Sequence, residues 1–85
     1  MASYRLAIKP SAAEELEALP LKDRRRIATK IQHLASEPRP SGAEKLSGQE
    51  KYRLRQGDYR VLYSIDDAEL AVTIVKIGHR RDVYR

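Results

Sequence analysis

The chain contains no cysteine, no tryptophan and no phenylalanine. Without cysteine it can form neither a disulfide framework nor a thiolate metal site. Its two histidines, His33 and His79, are far apart in the sequence and lack the companion residues of a zinc site. The sequence therefore predicts no metal and no cofactor.

Long apolar runs are absent as well. No stretch approaches the length of a membrane span, and the N-terminal segment does not have the pattern of a signal peptide. The 85 residues include no long Pro/Gly-rich or low-complexity segment. These features predict a soluble, cytoplasmic protein with no membrane contact, folded as one domain over residues 1–85.

Positive charge is present in excess. Lysine and arginine total 17 against 12 acidic residues, which gives a formal net charge of +5. In a chain this small, that excess favours a nucleic acid or an acidic protein as partner. A basic surface that only aids solubility is the plain alternative, so the placement of the charges has to decide.

The first half of the chain predicts a strand followed by two helices. Apolar residues alternate over 3–9, which is typical of a strand, and Pro10 ends it. Ser11 and Glu14 have the spacing of a capping box, which marks the start of a short helix. A longer helix is predicted over 21–36. Each helix carries apolar residues on one face, Ala12, Leu16 and Leu19 in the first and Ile27, Ile31 and Leu34 in the second.

The second half predicts a loop and an antiparallel sheet. Residues 37–50 carry two prolines and two glycines and are expected to form a loop. Three strands follow, over 51–56, 59–66 and 70–77. The predicted fold class is α+β with the order β-α-α-β-β-β, in which a helical hairpin packs on one face of a mainly antiparallel sheet.

Basic and apolar residues alternate on the first two strands of this sheet. The first strand places Lys51, Arg53 and Arg55 on one face, and Tyr52 and Leu54 on the other. Arg60, on the next strand, can join the basic face. Because the helices cover the apolar face, the basic residues converge on the open side. A groove for phosphates is the favoured interpretation; the alternatives are a solvated face and, for Arg60, an internal ion pair with Asp82.

The C-terminal segment adds further basic and aromatic side chains after the last strand, namely His79, Arg80, Arg81 and Tyr84. A basic groove beside a tyrosine suits RNA, because guanidinium groups bind phosphates and an aromatic ring stacks on an unpaired base. It also suits phosphodiester cleavage through the 2′-hydroxyl. That reaction needs a base, cations that stabilise the transition state and an acid for the leaving oxygen.

The remaining polar and aromatic residues are given structural roles. Asp66 and Asp67 are expected to be solvated turn residues. The three consecutive arginines at 24–26 are expected to form a solvated helix face that contacts ribosomal RNA. The other four tyrosines are expected in the core or in the wall of the groove; these are Tyr4, Tyr52, Tyr59 and Tyr63.

Three segments, KLSG (45–48), YRLRQGDYRVLYSID (52–66) and IGHRRDVYR (77–85), resemble the RelE branch of the RelE/ParE superfamily of toxin–antitoxin toxins. The resemblance spans essentially the whole chain. It implies a fold like that of microbial ribonucleases and a metal-independent endoribonuclease that cuts messenger RNA in the ribosomal A site by 2′-hydroxyl attack. It also implies a RelB-like antitoxin, the ribosome and mRNA as partners, with operator DNA bound only through the antitoxin complex.

The resemblance implies catalytic roles for Lys51, Arg53, Arg60, Arg80 and Tyr84, and RNA-binding roles for Arg55, His79 and Arg81. Lys51 is the favoured base, because it is the only lysine on the basic strand face and the surrounding arginines should disfavour its charged form. Arg60 would hold the scissile phosphate, and Arg80 would assist the leaving oxygen. Tyr84 would stack on a base.

Two other functions stay open. The first is a ParE-like toxin that poisons DNA gyrase by binding; the set of Arg80, Arg81 and Tyr84 argues against it, since ParE-like members generally lack that set. The second is a catalytically weak toxin that acts mainly through antitoxin binding and control of its own operon.

Overall fold

The computed structural model describes residues 3–46, 48 and 50–83. Within these ranges it contains two helices and five strands. Their order is β1 (Arg5–Ile8), α1 (Pro10–Glu17), α2 (Leu21–His33), β2 (Ala43–Lys45), β3 (Lys51–Gln56), β4 (Tyr59–Asp66) and β5 (Ala71–His79). No helix in this described part of the chain is long and apolar enough to cross a membrane.

All five strands form one sheet in the order β1-β5-β4-β3-β2. The first strand, β1, pairs with β5 in parallel, and the other three pairings are antiparallel. The two helices supply the apolar side chains that cover one face of the sheet. The predicted α+β class and the helical hairpin on a mainly antiparallel sheet are therefore confirmed.

The hydrophobic core lies between the helices and the covered face of the sheet. The helices contribute Ala12, Ile27, Ile31 and Leu34, and the strands contribute Tyr52, Leu54, Val61, Tyr63, Ile65, Val72, Ile74 and Ile77. Alternate residues of β3 and β4 enter this core, as a pleated strand requires. The apolar stripes predicted for both helices are confirmed, and the intervening strand residues are left on the open face.

One strand was not predicted from the sequence. Ala43–Lys45 forms β2 within the segment expected to be a loop, and it pairs with β3 at the edge of the sheet. The three residues have weak strand preference, so their extended conformation comes from pairing with β3 rather than from local sequence. Strand β2 closes one end of the open face and brings its own side chains to it.

Two helix boundaries also differ from the prediction. Helix α1 begins at Pro10, with Lys9 as an extended N-cap and no side-chain capping hydrogen bond, so the predicted capping box at Ser11 is wrong. Proline is well suited to the first helical position, and it keeps the preceding residue extended. Helix α2 ends at His33, three residues earlier than predicted.

A β-bulge changes which residues of β5 face the helices. Leu62 lies opposite Lys76, whereas the next residue, Tyr63, lies opposite Ile74, so Val75 is the extra residue. Residues on the two sides of a bulge exchange faces of the sheet. Beyond the bulge, Gly78 consequently points to the open face, and His79 points to the helix side.

A cluster of polar contacts joins the loop after α2 to the β4–β5 turn. The Arg39 guanidinium donates two hydrogen bonds to the Asp67 carboxylate, at 2.8 and 3.2 Å, and a third to the Tyr52 hydroxyl at 3.0 Å. The Tyr4 hydroxyl donates to the same carboxylate at 2.7 Å. These hydrogen bonds, first from Arg39 and then from Tyr4, hold the pKa of Asp67 below its usual value.

Asp66 and Asp67 are exposed, as predicted, and both also accept hydrogen bonds that the sequence did not predict. Asp66 accepts the backbone N–H of Glu69 within the turn. Nearby, the Tyr63 hydroxyl donates to the carbonyl of Pro38 at 2.8 Å, and burial raises the pKa of Tyr63 to about 12. Both aspartates thus have structural roles in the turn.

Candidate functional site

A cleft lies on the open face of the sheet where β2, β3 and β4 run side by side. It is lined by Gly42, Glu44, Arg53, Arg55 and Arg60. The register explains the convergence, because Arg55 lies directly opposite Arg60, and Glu44 lies directly opposite Arg53. The predicted convergence of basic strand residues on the uncovered face therefore holds for these three arginines.

The hairpin between β3 and β4 fixes the position of Arg60. Its Nη1 donates to the carbonyls of Gly57 and Tyr59, at 3.0 and 2.9 Å. Within the described residues its Nε and Nη2 have no hydrogen-bond acceptor, which leaves these donors for a ligand. The facing Arg55 side chain is exposed. Two guanidinium groups placed opposite each other repel, so the pair favours an anion between them.

Among the described residues that line this cleft, Glu44 is the one with an acidic side chain. Its Oε2 accepts a hydrogen bond from Nη2 of Arg53 at 2.6 Å. Glu44 was not predicted from the sequence, because it lies on β2, which was expected to be part of a loop. Only the alternation within 43–45 could have indicated it, and three residues are too few for a reliable strand signal. The cleft therefore contains a carboxylate as well as three cations.

Lys51 shares the open face but lies at the other end of β3. It pairs with Ser64, four residues along the strand from Arg55, which is roughly 13 Å at the usual rise per residue. Lys51 does not line the cleft. The expected crowding of Lys51 by Arg55, Arg60 and Arg80 is therefore not found in the structure.

The C-terminal turn places Arg80 beside the same hairpin. Its backbone N–H donates to the carbonyl of Asp58 at 2.7 Å, and its Nε lies 3.7 Å from the Asp58 carboxylate. Val83 is only 2% exposed and packs over Gly78. Gly78 lies opposite Arg60, and it has no side chain that would block this contact. The Arg60 side chain and the Arg80 backbone N–H are thus both bound to the β3–β4 hairpin, although Arg80 is not among the described residues that line the cleft.

The other predicted C-terminal residues are placed differently. His79 lies opposite Tyr59 on the helix side of the sheet, and its ring meets the Tyr59 ring edge-on at 5.8 Å between centroids. Its Nδ1 accepts the backbone N–H of Arg81, whose side chain is exposed. His79 therefore does not join the basic face. Tyr84 lies outside the described residues.

A family profile described as the ParE toxin of type II toxin–antitoxin systems, parDE, matches residues 6–84. The chain belongs to the RelE/ParE superfamily of toxins. Toxin RelE of Mycobacterium tuberculosis is 34% identical to this toxin over 88 residues, covering 96% of this chain and 87% of that protein. Toxin RelG of the same organism is 47% identical over 34 residues, which is 40% of this chain and 39% of its own length.

The fold agrees with that assignment. The archaeal RelE–RelB complex from Pyrococcus horikoshii OT3 contains a chain that matches this toxin with a TM-score of 0.84 and 32% sequence identity. The match covers 95% of this chain and 99% of that chain. The resemblance inferred from the three sequence segments is thus confirmed at the level of family and fold.

The basic helix of this toxin departs from the sequence prediction at one residue. Arg24 is half-buried, and its Nη2 donates to the carbonyl of Leu19 at 3.5 Å. Arg25 and Arg26 are exposed, as expected. Because Arg24 reaches back to the connection between α1 and α2, only its two neighbours form the solvated basic face.

Proposed function

We propose that this toxin is a ribosome-dependent endoribonuclease that cuts messenger RNA. The observation that carries the proposal is the cleft of Arg53, Arg55 and Arg60 on an open sheet face, with Arg80 held at the same hairpin. Clustered guanidinium groups bind phosphates with directed, charge-assisted hydrogen bonds. Relatives that carry the name RelE support the assignment.

Binding and chemistry divide among the cleft residues. The backbone of an RNA strand lies along the Arg53–Arg55–Arg60 cleft, with the scissile phosphate on the donors of Arg60 that the hairpin does not use. The 2′-oxygen attacks phosphorus as its proton passes to a base, and the bond to the 5′-oxygen breaks. The leaving 5′-oxygen takes a proton from solvent water, so that a 2′,3′-cyclic phosphate and a 5′-hydroxyl result. Arg60 stabilises the added negative charge of the transition state, and Arg80 stabilises the leaving oxygen.

The base that takes the 2′-hydroxyl proton is assigned to Glu44. Arginine does not give up its proton in proteins, which removes Arg53 from consideration. Lys51 lies at the far end of β3, outside the cleft. Glu44 places a carboxylate 2.6 Å from Arg53 inside the cleft, and a carboxylate is a competent proton acceptor. The reaction as written requires neither a metal nor a cofactor, and Tyr84 is proposed to stack on a base of the substrate.

Dependence on the ribosome follows from the openness of the site. The cleft places phosphate-binding side chains on an open sheet face and does not enclose a substrate, so the ribosome has to orient the RNA. Correct orientation alone can supply several kcal/mol of rate enhancement. Exposed Arg25 and Arg26 on α2 are proposed to contact ribosomal RNA.

The decisive experiment is induction of the toxin in cells, followed by primer extension on translated and untranslated copies of one message. Cleavage should appear only on the translated copy. Arg60→Ala should abolish both cleavage and growth arrest, whereas Lys22→Ala, at an exposed position outside the cleft and outside the proposed ribosomal contact, should change them little. Circular dichroism and antitoxin binding establish that each variant is folded. Equal cutting of both copies, or full arrest by folded Arg60→Ala, would contradict the proposal.

A RelB-like antitoxin is the proposed protein partner, and operator DNA is bound only through that complex. The P. horikoshii relative is named as a RelE–RelB complex. In this toxin the edge strand β1 leaves Leu6 and Ile8 38% and 40% exposed, beside an apolar groove that includes Leu16, Ile31 and Ile74. An open edge and an apolar groove suit an antitoxin segment that adds a strand or a helix. Coexpression with the neighbouring reading frame should restore growth.

A gyrase poison is the second candidate function, because the family profile that matches carries the ParE description. Under this alternative, induction would accumulate cleaved DNA–gyrase complexes and leave messages intact. The primer-extension experiment therefore distinguishes the two functions directly. A third outcome, neither RNA nor DNA cleavage with antitoxin binding retained, would identify a toxin that acts mainly in operon control.

A further inference from the structure

A second cleft lies on the other side of the sheet edge from the arginine cleft. It is lined by Lys30, His33, Pro40, Ser41, Gly42 and Leu54. Two of these residues, Lys30 and His33, come from the last turns of α2. Gly42 lines both clefts, so they meet at this residue.

The sheet edge is open where the two clefts meet. Strand β2 begins at Ala43, opposite Leu54, and the next β3 residue, Arg55, has no partner on that side. Instead, Nζ of Lys30 donates to the carbonyl of Arg55 at 3.1 Å. Lys30 on α2 therefore binds the backbone carbonyl of Arg55 at the sheet edge, while the Arg55 side chain lies in the arginine cleft.

Gly42 lies where the two clefts meet and has no side chain that would separate them. A Cβ built at this position would lie 3.9 Å from Cδ1 of Leu54, an ordinary contact, so the fold does not demand glycine here. The Cβ would point towards Leu54 and so into the second cleft. The absence of a side chain at residue 42 leaves this path unobstructed.

We propose that the RNA strand bound in the arginine cleft continues over the sheet edge at Gly42 and places flanking phosphates on Lys30 and His33. This rests on the proposed function, because it extends the same RNA path. Lys30 uses one of its three N–H donors on Arg55, and two stay available for a phosphate. His33 is exposed and adds a ring N–H donor, while Leu54 and Pro40 offer apolar contact to a sugar or base.

The test compares the binding of a trinucleotide with that of a decanucleotide of the same core sequence. Both carry 2′-O-methyl groups so that they cannot be cleaved, and binding to the free toxin is measured by fluorescence anisotropy over a series of salt concentrations. The decanucleotide should bind at least several-fold more tightly. Its plot of log K against log salt should be steeper by about 0.7 for each added phosphate contact.

The salt dependence is the decisive readout. A longer strand also binds more tightly because it offers more registers, but that statistical gain does not change the slope. Lys30→Gln should lower the decanucleotide slope by about 0.7, because it removes one charged phosphate contact. The matched control is Lys22→Gln, which removes the same charge from an exposed position near the other end of α2.

A steric variant gives an independent check. Gly42→Leu should fill the second cleft. Its affinity for the decanucleotide, divided by its affinity for the trinucleotide, should fall to about the ratio measured for Lys30→Gln. Equal slopes for the two oligonucleotides, or equal effects of Lys30→Gln and Lys22→Gln, would overturn the extended path and leave the arginine cleft intact. Failure of the trinucleotide to bind at all would instead overturn the proposed RNA cleft, and the extension with it.

Discussion

At the scale of single residues, Arg55 and Arg60 form an unfavourable pair. They lie directly opposite each other on neighbouring strands, where like charges repel. Neither side chain has a carboxylate partner among the described residues. A sheet selected only for stability would place a β-branched or oppositely charged residue at one of these positions. The repulsion is the cost of keeping two guanidinium groups ready for phosphates.

Arg55→Thr should therefore stabilise the fold and weaken RNA binding. We expect the free energy of unfolding in urea to rise by about 0.2 to 1 kcal/mol at low salt, and by less at high salt, where the repulsion is screened. Lys51→Thr is the matched control, since it removes a cation from the same strand face opposite the uncharged Ser64. An equal gain in both variants would mean that strand preference, rather than the Arg55–Arg60 repulsion, is responsible.

Glu44→Gln separates binding from chemistry. Glutamine cannot take a proton, so single-turnover cleavage on programmed ribosomes should slow by on the order of a hundredfold or more. The same change removes a negative charge from the cleft, so KM should fall rather than rise. The control is Glu50→Gln, whose carboxylate pairs with Lys45 at 3.2 Å outside the cleft. A cleavage rate unchanged by Glu44→Gln would remove Glu44 as the base.

At the scale of elements, the contacts of Asp67 join parts of the chain that the strands do not connect. Arg39, in the loop that leads to β2, and Tyr4, just before β1, both donate to this carboxylate in the β4–β5 turn. The Arg39 guanidinium also lies 5.3 Å over the Tyr52 ring. These contacts at the β4–β5 turn therefore fix the loop that leads to β2, and through it the position of Glu44.

Asp67→Asn should reduce stability in a pH-dependent way. Because hydrogen bonds lower the pKa of Asp67 in the folded state, its contribution is fully present above the ordinary value of 3.8 and is lost as the pH falls through the lower folded value. Urea unfolding should show a less stable variant at neutral pH and a closing gap at about pH 3. Asp66→Asn, in the same turn, serves as the control. A gap of the same size at both pH values would show that Asp67 acts through packing rather than charge.

The elements also show how far the sequence could predict the site. Alternation placed Arg53, Arg55 and Arg60 on one face correctly, because side-chain direction in a strand follows from period two. It could not place His79, because the bulge at Val75 exchanges the faces of every later β5 residue. Nor could it find Glu44, since β2 is created by tertiary pairing with β3.

At the scale of the whole molecule, the two sheet edges differ. The β2 edge is three residues long and carries Glu44 and Lys45, whose charges discourage pairing with other chains. The β1 edge exposes Leu6 and Ile8 beside an apolar groove. Of the two edges, the β1 edge is therefore the one more prone to self-association in the free toxin.

Ile8→Lys should therefore have two effects on the toxin. It should reduce self-association of the free toxin in sedimentation experiments, and it should weaken antitoxin binding by tenfold or more, because a cation replaces an apolar contact in the groove. Lys45→Ala, on the opposite edge, should change antitoxin binding little. If Ile8→Lys binds antitoxin normally, the antitoxin covers another surface.

The parallel pairing of β1 with β5 also influences when in folding the sheet is completed. Arg5 lies opposite Ala71 and Ile8 opposite Ile74, so the first strand has no partner in the sheet until β5 has been synthesised. Contacts this distant in sequence form late, because a long loop must close first. Arg80 follows β5 and arrives in the same final stretch. We therefore expect the parallel β1–β5 pair and the Arg80 contact to form later in folding than the β3–β4 hairpin that carries the arginine cleft.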